Sequence, residues 1–156
     1  MPRFMHWVTV THTRRWHMAH GTTGIGHVYQ SRYKSFPIQS NGRYFNVLRY
    51  VEANPLAAGM VEKIGQWPWS SFVHRVDGGG GKPFGIDPGP LPVPADWAES
   101  FRKAGVVKDA AEIENCMQKG CPYGDEDWKI NTAEELNLES TLRKSGRPRK
   151  YPEGIK

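Results

Sequence analysis

A glycine- and proline-rich stretch at 77–94 constrains the fold more than any other feature of this chain. It contains the run Gly78–Gly81 and repeated prolines, a composition that does not sustain a regular helix or strand. A phosphate-binding loop would need a Gly-Lys-Ser/Thr ending, whereas here Lys82 is followed by Pro83. We therefore predict a linker. The three other predicted regions are a first domain at 1–76, a helical region at 95–142 and a basic disordered tail at 143–156.

Charge is unevenly distributed along the chain. Residues 1–51 include seven basic residues and no acid, residues 52–142 carry 15 acids against eight bases, and residues 143–156 carry six bases and one acid. Two basic blocks on either side of an acidic middle favour a polyanionic partner, such as nucleic acid, over merely solvated faces. Such binding should weaken steeply as salt rises, because each neutralised phosphate releases counterions.

Several classes of protein are not expected. No window approaches the roughly 18 consecutive apolar residues that a membrane-spanning helix needs, so no membrane partner is predicted. No signal peptide is recognisable at the start of the sequence, which favours a cytoplasmic location. The two cysteines, Cys116 and Cys121, are too few for a disulfide framework or a four-cysteine zinc site.

Local patterns predict several elements. Helical spacing predicts a helix at 3–19, and a mixture of apolar and polar residues predicts a strand at 27–38. Asn41 is expected to cap a second helix at 41–53, which Asn54-Pro55 would end or re-cap into a short helix at 55–63. The remaining predicted elements are a turn with two aromatic anchors at 67–71, three short helices at 96–104, 109–119 and 125–137, and a turn at 120–124.

The second predicted helix carries two residues that could support chemistry. Its apolar stripe is formed by Tyr44, Val47, Leu48 and Val51. Tyr50 and Asn54 are four residues apart and share a face, which places a phenol beside an amide oxygen that can bind a hard cation. The alternative is structural: Tyr50 is a boundary aromatic residue and Asn54 caps the following helix.

Four segments of the chain resemble one protein family. They are GHVYQSRYKSFPIQ (Gly26–Gln39), VLRYVEANPLAAGMVE (Val47–Glu62), WPWSS (Trp67–Ser71) and YGDEDWKINTAEELNLESTLRKSGRPRK (Tyr123–Lys150). In this order they resemble the REP-associated tyrosine transposases of the one-tyrosine HUH superfamily, which act on single-stranded DNA. The resemblance implies an α+β fold in which residues 1–76 form the C-terminal portion of a ferredoxin-like core, with two main helices and one or two strands.

The resemblance also implies an activity. Tyr50 would attack a phosphodiester, form a 5′-phosphotyrosine and release a 3′-hydroxyl at single-stranded DNA that carries hairpins. Asn54 would help to hold a divalent metal, Mg²⁺ or Mn²⁺. Arg32 and Lys34 would face the DNA backbone, and the basic tail would help to recognise a hairpin. The full set of expected DNA-binding residues is Arg14, Arg15, Arg32, Lys34, Arg43, Arg49, Arg147, Arg149 and Lys150.

The chain departs from the family in one respect. HUH enzymes hold their metal with a His-hydrophobic-His pair on a strand, and none of the six histidines here occurs in such a triplet. We therefore expect the C-terminal part of a transposase, weakly stable or self-associating without its leading strands. Two alternatives remain: a non-catalytic remnant that binds hairpin DNA, and a protein-interaction fragment that uses the acidic middle.

Overall fold

The computed structural model describes residues 2–76, 86–87, 89–103 and 109–143. Most of the predicted linker at 77–94 and all but the first residue of the tail at 143–156 lie outside these residues. The helices are α1 (Pro2–His20), α2 (Gly42–Ala57), α3 (Ser71–Val76), α4 (Trp97–Lys103), α5 (Ala110–Lys119), α6 (Glu126–Glu135) and α7 (Glu139–Leu142). No helix among them has both the length and the apolar character that crossing a bilayer requires.

The chain divides into two compact units between Ser35 and Phe36. We call the residues up to Ser35 the N-terminal unit and the described residues from Phe36 onward the C-terminal unit. The N-terminal unit consists of α1 and an irregular segment, and the C-terminal unit contains the other helices.

The N-terminal unit is built on one long helix with no buried residue. Pro2 occupies its first position, where proline costs no hydrogen bond because that N–H would be unsatisfied in any case. The helix ends at Gly21, whose φ of 62° lies in the left-handed region that glycine adopts without steric cost. The predicted helix at 3–19 is confirmed to within one residue at each end.

The start of α2 was predicted correctly and its end was not. The Oδ1 atom of Asn41 accepts a hydrogen bond of 2.9 Å from the backbone N–H of Arg43, as expected of an N-cap. The helix then continues through Pro55 to Ala57, and no separate helix follows at 55–63. Proline removes only its own N–H, and the Asn54 carbonyl still receives a hydrogen bond from the N–H of Ala58 at 2.9 Å.

The core of the C-terminal unit forms around the predicted turn at 120–124. Tyr123 is fully buried and packs with Val47, Ile113, Cys116 and Cys121. Its backbone N–H donates to the Pro37 carbonyl at 2.9 Å, and its carbonyl accepts from the N–H of Gln39 at 3.0 Å. The turn is therefore a central part of the core as well as a connection between α5 and α6.

The expected α+β, ferredoxin-like core is wrong. The part of the chain that the structure describes is mostly helical and contains no strand or sheet. The segment at 27–38, predicted as a strand, is irregular, and its one β-type contact is an isolated parallel bridge between Ile38 and Tyr123. Alternating apolar side chains do not make a strand without a neighbouring strand to pair with the backbone N–H and C=O groups.

The burial pattern of α2 also differs from the prediction. Val47 is buried, but Val51 of the predicted apolar stripe is 56% exposed. The other fully buried side chain of the helix is the carboxylate of Glu52. Of the two predicted aromatic anchors, Trp67 is half-buried and Trp69 is exposed. The three short helices predicted after the linker are confirmed as α4, α5 and α6.

Candidate nucleic-acid interface

A groove of about 470 Å³ lies within the N-terminal unit, between α1 and the irregular segment that follows it. Helix α1 contributes His6 and Arg14 to the lining, and the irregular segment contributes His27, Tyr29, Arg32 and Tyr33. We call it the arginine groove and define it by the side chains that carry charge or aromatic surface: His6, Arg14, His27, Tyr29, Arg32 and Tyr33.

The arginine groove carries positive charge. Arg14 and Arg32 are 18 positions apart in the sequence and line the same groove, and both are exposed to solvent. The N-terminal unit contains no Asp or Glu, so no carboxylate of this unit neutralises either guanidinium. A concave surface with cations and no nearby acid attracts anions and raises their local concentration.

Contacts within the unit hold its aromatic side chains in place. The Tyr29 hydroxyl and Nδ1 of His12 are joined by a hydrogen bond of 2.8 Å, and the two rings lie 5.7 Å apart. These contacts tie the irregular segment to α1 and fix the ring of Tyr29 in the groove. Aromatic rings interleaved with arginines are typical of surfaces that bind single-stranded nucleic acid.

Sequence reasoning found the arginines of this groove and missed its aromatic residues. Arg14 and Arg32 were both predicted, and the structure brings them together. Tyr29 and Tyr33 were predicted to lie in a strand, although two tyrosines close to Arg32 in the sequence are themselves a signal of nucleic-acid binding. Arg15 and Lys34 are exposed but do not line the groove. The last three predicted residues, Arg147, Arg149 and Lys150, lie outside the described residues.

Two further predicted DNA-binding arginines are engaged inside the C-terminal unit. Arg43 donates to Oδ1 of Asp125 through Nε at 3.2 Å and Nη2 at 3.1 Å, and its guanidinium lies 5.4 Å from the centre of the Tyr123 ring. Arg49 lies 5.2 Å from the centre of the Trp97 ring. Both side chains are only partly exposed, and their contacts are those of residues that stabilise the fold.

Tyr50 occupies the edge of the C-terminal core. Its hydroxyl donates a hydrogen bond of 3.2 Å to Oε1 of Glu114 on α5. Burial raises the pKa of Tyr50, and the hydrogen bond and negative charge of Glu114 raise it further. A raised pKa keeps the phenol protonated near neutral pH, which lowers its reactivity as a nucleophile.

The donors near Tyr50 do not fit a resident divalent metal. Tyr50 and Asn54 share a face of α2. Asn54 lines a groove between the last turn of α2 and the residues before α3, and Tyr50 does not line that groove. Mg²⁺ and Mn²⁺ prefer several carboxylate or other oxygen ligands. The one carboxylate that contacts Tyr50 is Glu114, and no group of three His, Cys, Asp or Glu residues suited to a metal occurs in the described ranges.

The most buried charged group of the C-terminal unit was not predicted. Glu52 is 2% exposed. One of its oxygens accepts from the Ser71 hydroxyl at 2.6 Å and from Nε of Arg75 at 3.1 Å, and the other accepts from Nε1 of Trp97 at 2.8 Å. Three hydrogen bonds, of which the one from Arg75 is also an ion pair, satisfy the carboxylate, which joins α2 to α3 and α4 and serves the fold.

Comparison of the chain with protein-family models, with curated proteins and with solved structures identified no match.

Proposed function

We propose that this chain binds single-stranded DNA, with hairpins as its targets, through the arginine groove. The observation that carries the proposal is the convergence of Arg14 and Arg32 in one groove of a unit without acids. Phosphates would contact these two side chains, and bases would stack on Tyr29 and Tyr33. The resemblance to the REP-associated tyrosine transposases supports the same partner class.

The test is a titration of a labelled hairpin with a single-stranded flank, measured by fluorescence anisotropy over a series of NaCl concentrations. The wild-type chain is expected to lose affinity as salt rises. For a single strand each phosphate contact contributes a slope of about −0.7 on a log–log plot, so the double variant Arg14→Gln/Arg32→Gln should flatten the slope by about 1.4. At 0.1 M salt the same loss corresponds to roughly 25-fold weaker binding.

The matched control is Lys119→Gln, which removes an exposed cation from α5 without touching the arginine groove. It should weaken binding by less than about twofold, because Lys119 does not line the groove and an exposed charge outside the contact is screened by salt. The single variants Arg14→Gln and Arg32→Gln each remove one charge, as the control does. Equal losses of affinity in these two variants and in Lys119→Gln would show that net charge alone drives binding, and would contradict the proposal. Absence of any salt-dependent binding would also contradict it.

A second candidate function, strand cleavage by Tyr50, is favoured by one contact. The Tyr50 hydroxyl already donates to the Glu114 carboxylate, which could accept its proton as the phenol oxygen forms a bond to phosphorus. The bond between phosphorus and O3′ would break as the new bond forms, which leaves a 5′-phosphotyrosine linkage and a 3′-oxygen that takes a proton from water. The raised pKa of Tyr50 opposes this step, so DNA binding is the function that the geometry supports best.

Cleavage is tested on the same labelled hairpin, incubated with Mg²⁺ or Mn²⁺ and analysed on a denaturing gel. A covalent adduct that disappears in Tyr50→Phe, while salt-dependent binding persists, would establish cleavage and revise the assignment of Tyr50. Binding without an adduct is the outcome that we expect.

A further inference from the structure

A second groove, of about 580 Å³, lies in the C-terminal unit between the last turn of α2 and the residues that lead into α3. We call it the tryptophan groove. No charged side chain lines it in the part of the chain that the structure describes. The residues that give it its character are Val51, Asn54, Pro55, Met60, Trp67 and Trp69.

The two indoles of this groove differ from that of Trp97 in the same unit. Trp97 is 3% exposed, whereas Trp69 is 77% exposed and lines the groove with the half-buried Trp67. A large aromatic surface exposed to water favours a ligand with a flat ring, because stacking removes the contacting face of each ring from solvent. Val51 and Met60 extend the same surface with exposed apolar side chains.

The polar groups of the groove are unequally engaged. The Ser70 hydroxyl accepts a hydrogen bond from the N–H of Phe72 at 3.2 Å, and the Ser71 hydroxyl donates to Glu52. The side-chain amide of Asn54 is exposed and makes no hydrogen bond with the described residues. It therefore offers a donor and an acceptor together, the combination that pairs with the edge of a nucleobase.

We propose that the tryptophan groove holds one unpaired nucleobase of single-stranded DNA, stacked on Trp69 and hydrogen-bonded by Asn54. This inference rests on the proposed DNA-binding function and adds a second site to it. The groove takes the base and leaves the phosphates outside, because none of the described residues that line it is a cation. The arginine groove carries the opposite chemistry, with two guanidinium groups for phosphates.

The chemistry of the lining favours a base over an apolar peptide or a second copy of the chain. An apolar partner would cover Val51 and Met60 but would also remove the Asn54 amide from water without replacing its hydrogen bonds, which is unfavourable. A nucleobase is uncharged, flat and bordered by donors and acceptors. It can stack on the exposed indole of Trp69 and form hydrogen bonds with the amide of Asn54.

The experiment compares two fluorescein-labelled oligonucleotides of equal length: one of thymidines and one of abasic sites, which keeps every phosphate and lacks every base. The wild-type chain should bind the thymidine oligomer more tightly. Since stacking on one aromatic residue is worth about 1–3 kcal/mol, Trp69→Ala should weaken that binding about tenfold and leave the affinity for the abasic oligomer unchanged. Trp69→Phe should restore part of the difference.

Trp7→Ala is the matched control, because Trp7 is 64% exposed and lies outside both grooves. It should bind both oligomers as the wild type does. Salt-dependent binding with the same base preference in Trp69→Ala as in the wild type would overturn the inference and leave the proposed function standing. Failure to bind either oligomer would overturn both. A dimer in light scattering that Trp69→Ala dissociates would overturn the inference by making the groove an interface between copies.

Discussion

In the N-terminal unit Arg14 and Arg32 line a groove in a unit without carboxylates, whereas in the C-terminal unit Arg43 pairs with Asp125 and Arg49 lies over the Trp97 ring. All four arginines lie within the acid-free residues 1–51, and the sequence alone does not distinguish their availability to a polyanion. The structure separates them, because only the C-terminal unit supplies acids and buried aromatic rings from later in the chain.

This difference shows what a count of basic residues omits. A cation is available to a polyanion only if no carboxylate or ring of the fold engages it, since a second partner must displace the first. By that criterion the N-terminal unit, which has no buried side chain in α1, carries the available charge. The C-terminal unit uses its arginines to hold α2 against α4, α5 and the residues before α6.

The largest expected effect follows from removing the buried carboxylate of the C-terminal unit. Glu52→Ala leaves the partly buried guanidinium of Arg75 without a counter-charge and the Trp97 N–H without an acceptor. Breaking a buried ion pair on one side costs about 3–5 kcal/mol in free energy of unfolding, which denaturant titration followed by circular dichroism would measure.

The control for this prediction is Glu135→Ala, which removes an exposed carboxylate from α6. It should change the free energy of unfolding by less than about 0.5 kcal/mol. Equal effects of the two substitutions would show that Glu52 contributes no more than a surface acid, and the contrast between the units would lose its main structural support.

The next largest effect is a loss of stability at alkaline pH that originates in the C-terminal unit. Burial, reinforced by the neighbouring Cys121, raises the pKa of Cys116 to about 12. Burial also raises the pKa values of Tyr50 and Tyr123. Because each group holds its proton more tightly in the folded state, its stabilisation is fully present below the unfolded pKa and is lost as pH rises through the folded value.

For Cys116 that window runs from the ordinary thiol pKa of about 8.5 up to about 12. Between these two pH values the unfolded chain loses the thiol proton of Cys116 and the folded chain keeps it. The free energy of unfolding therefore falls by about 1.4 kcal/mol per pH unit. Cys116→Ala should remove that contribution between pH 9 and pH 10, as measured by denaturant titrations at each pH. An unchanged slope in the variant would assign the alkaline loss to other groups.

Local signals explain which parts of the fold were predictable. Asn41 marks a helix start through its side-chain oxygen and Gly120 marks a helix end through its left-handed backbone, so local sequence suffices to place the start of α2 and the end of α5. Glu52 lay beyond such reasoning, because its partners Ser71, Arg75 and Trp97 lie 19 to 45 positions away and apolar periodicity does not detect a buried carboxylate.

The same limit explains the errors at the candidate sites. The residues next to Tyr123 in the sequence predict a turn. Its burial in the core depends on hydrogen bonds with Pro37 and Gln39, which lie more than 80 positions earlier in the chain. The spacing of Tyr50 and Asn54 correctly places them on one face of α2, but spacing does not reveal that Glu114 engages the phenol. Composition, by contrast, was sufficient to locate the acid-free stretch at 1–51, but not the division between the two units after Ser35, which falls inside that stretch.

The smallest expected effect tests the comparison directly, by making the same substitution in each unit. Arg43→Gln loses its two hydrogen bonds to the exposed Asp125 and its position over the Tyr123 ring, which together cost about 1 kcal/mol in free energy of unfolding. Its affinity for the hairpin should change by less than about twofold, because no phosphate contact is lost.

Arg14→Gln should show the reverse. It should leave the free energy of unfolding within about 0.5 kcal/mol of the wild type, since the side chain is exposed on α1. It should weaken hairpin binding about fivefold at 0.1 M salt through the loss of one phosphate contact. Anisotropy and denaturant titrations on the two variants measure both quantities. If Arg43→Gln weakened binding as much as Arg14→Gln, the contacts of Arg43 with Asp125 and Tyr123 would not prevent it from binding DNA. Both units would then contribute to the interface.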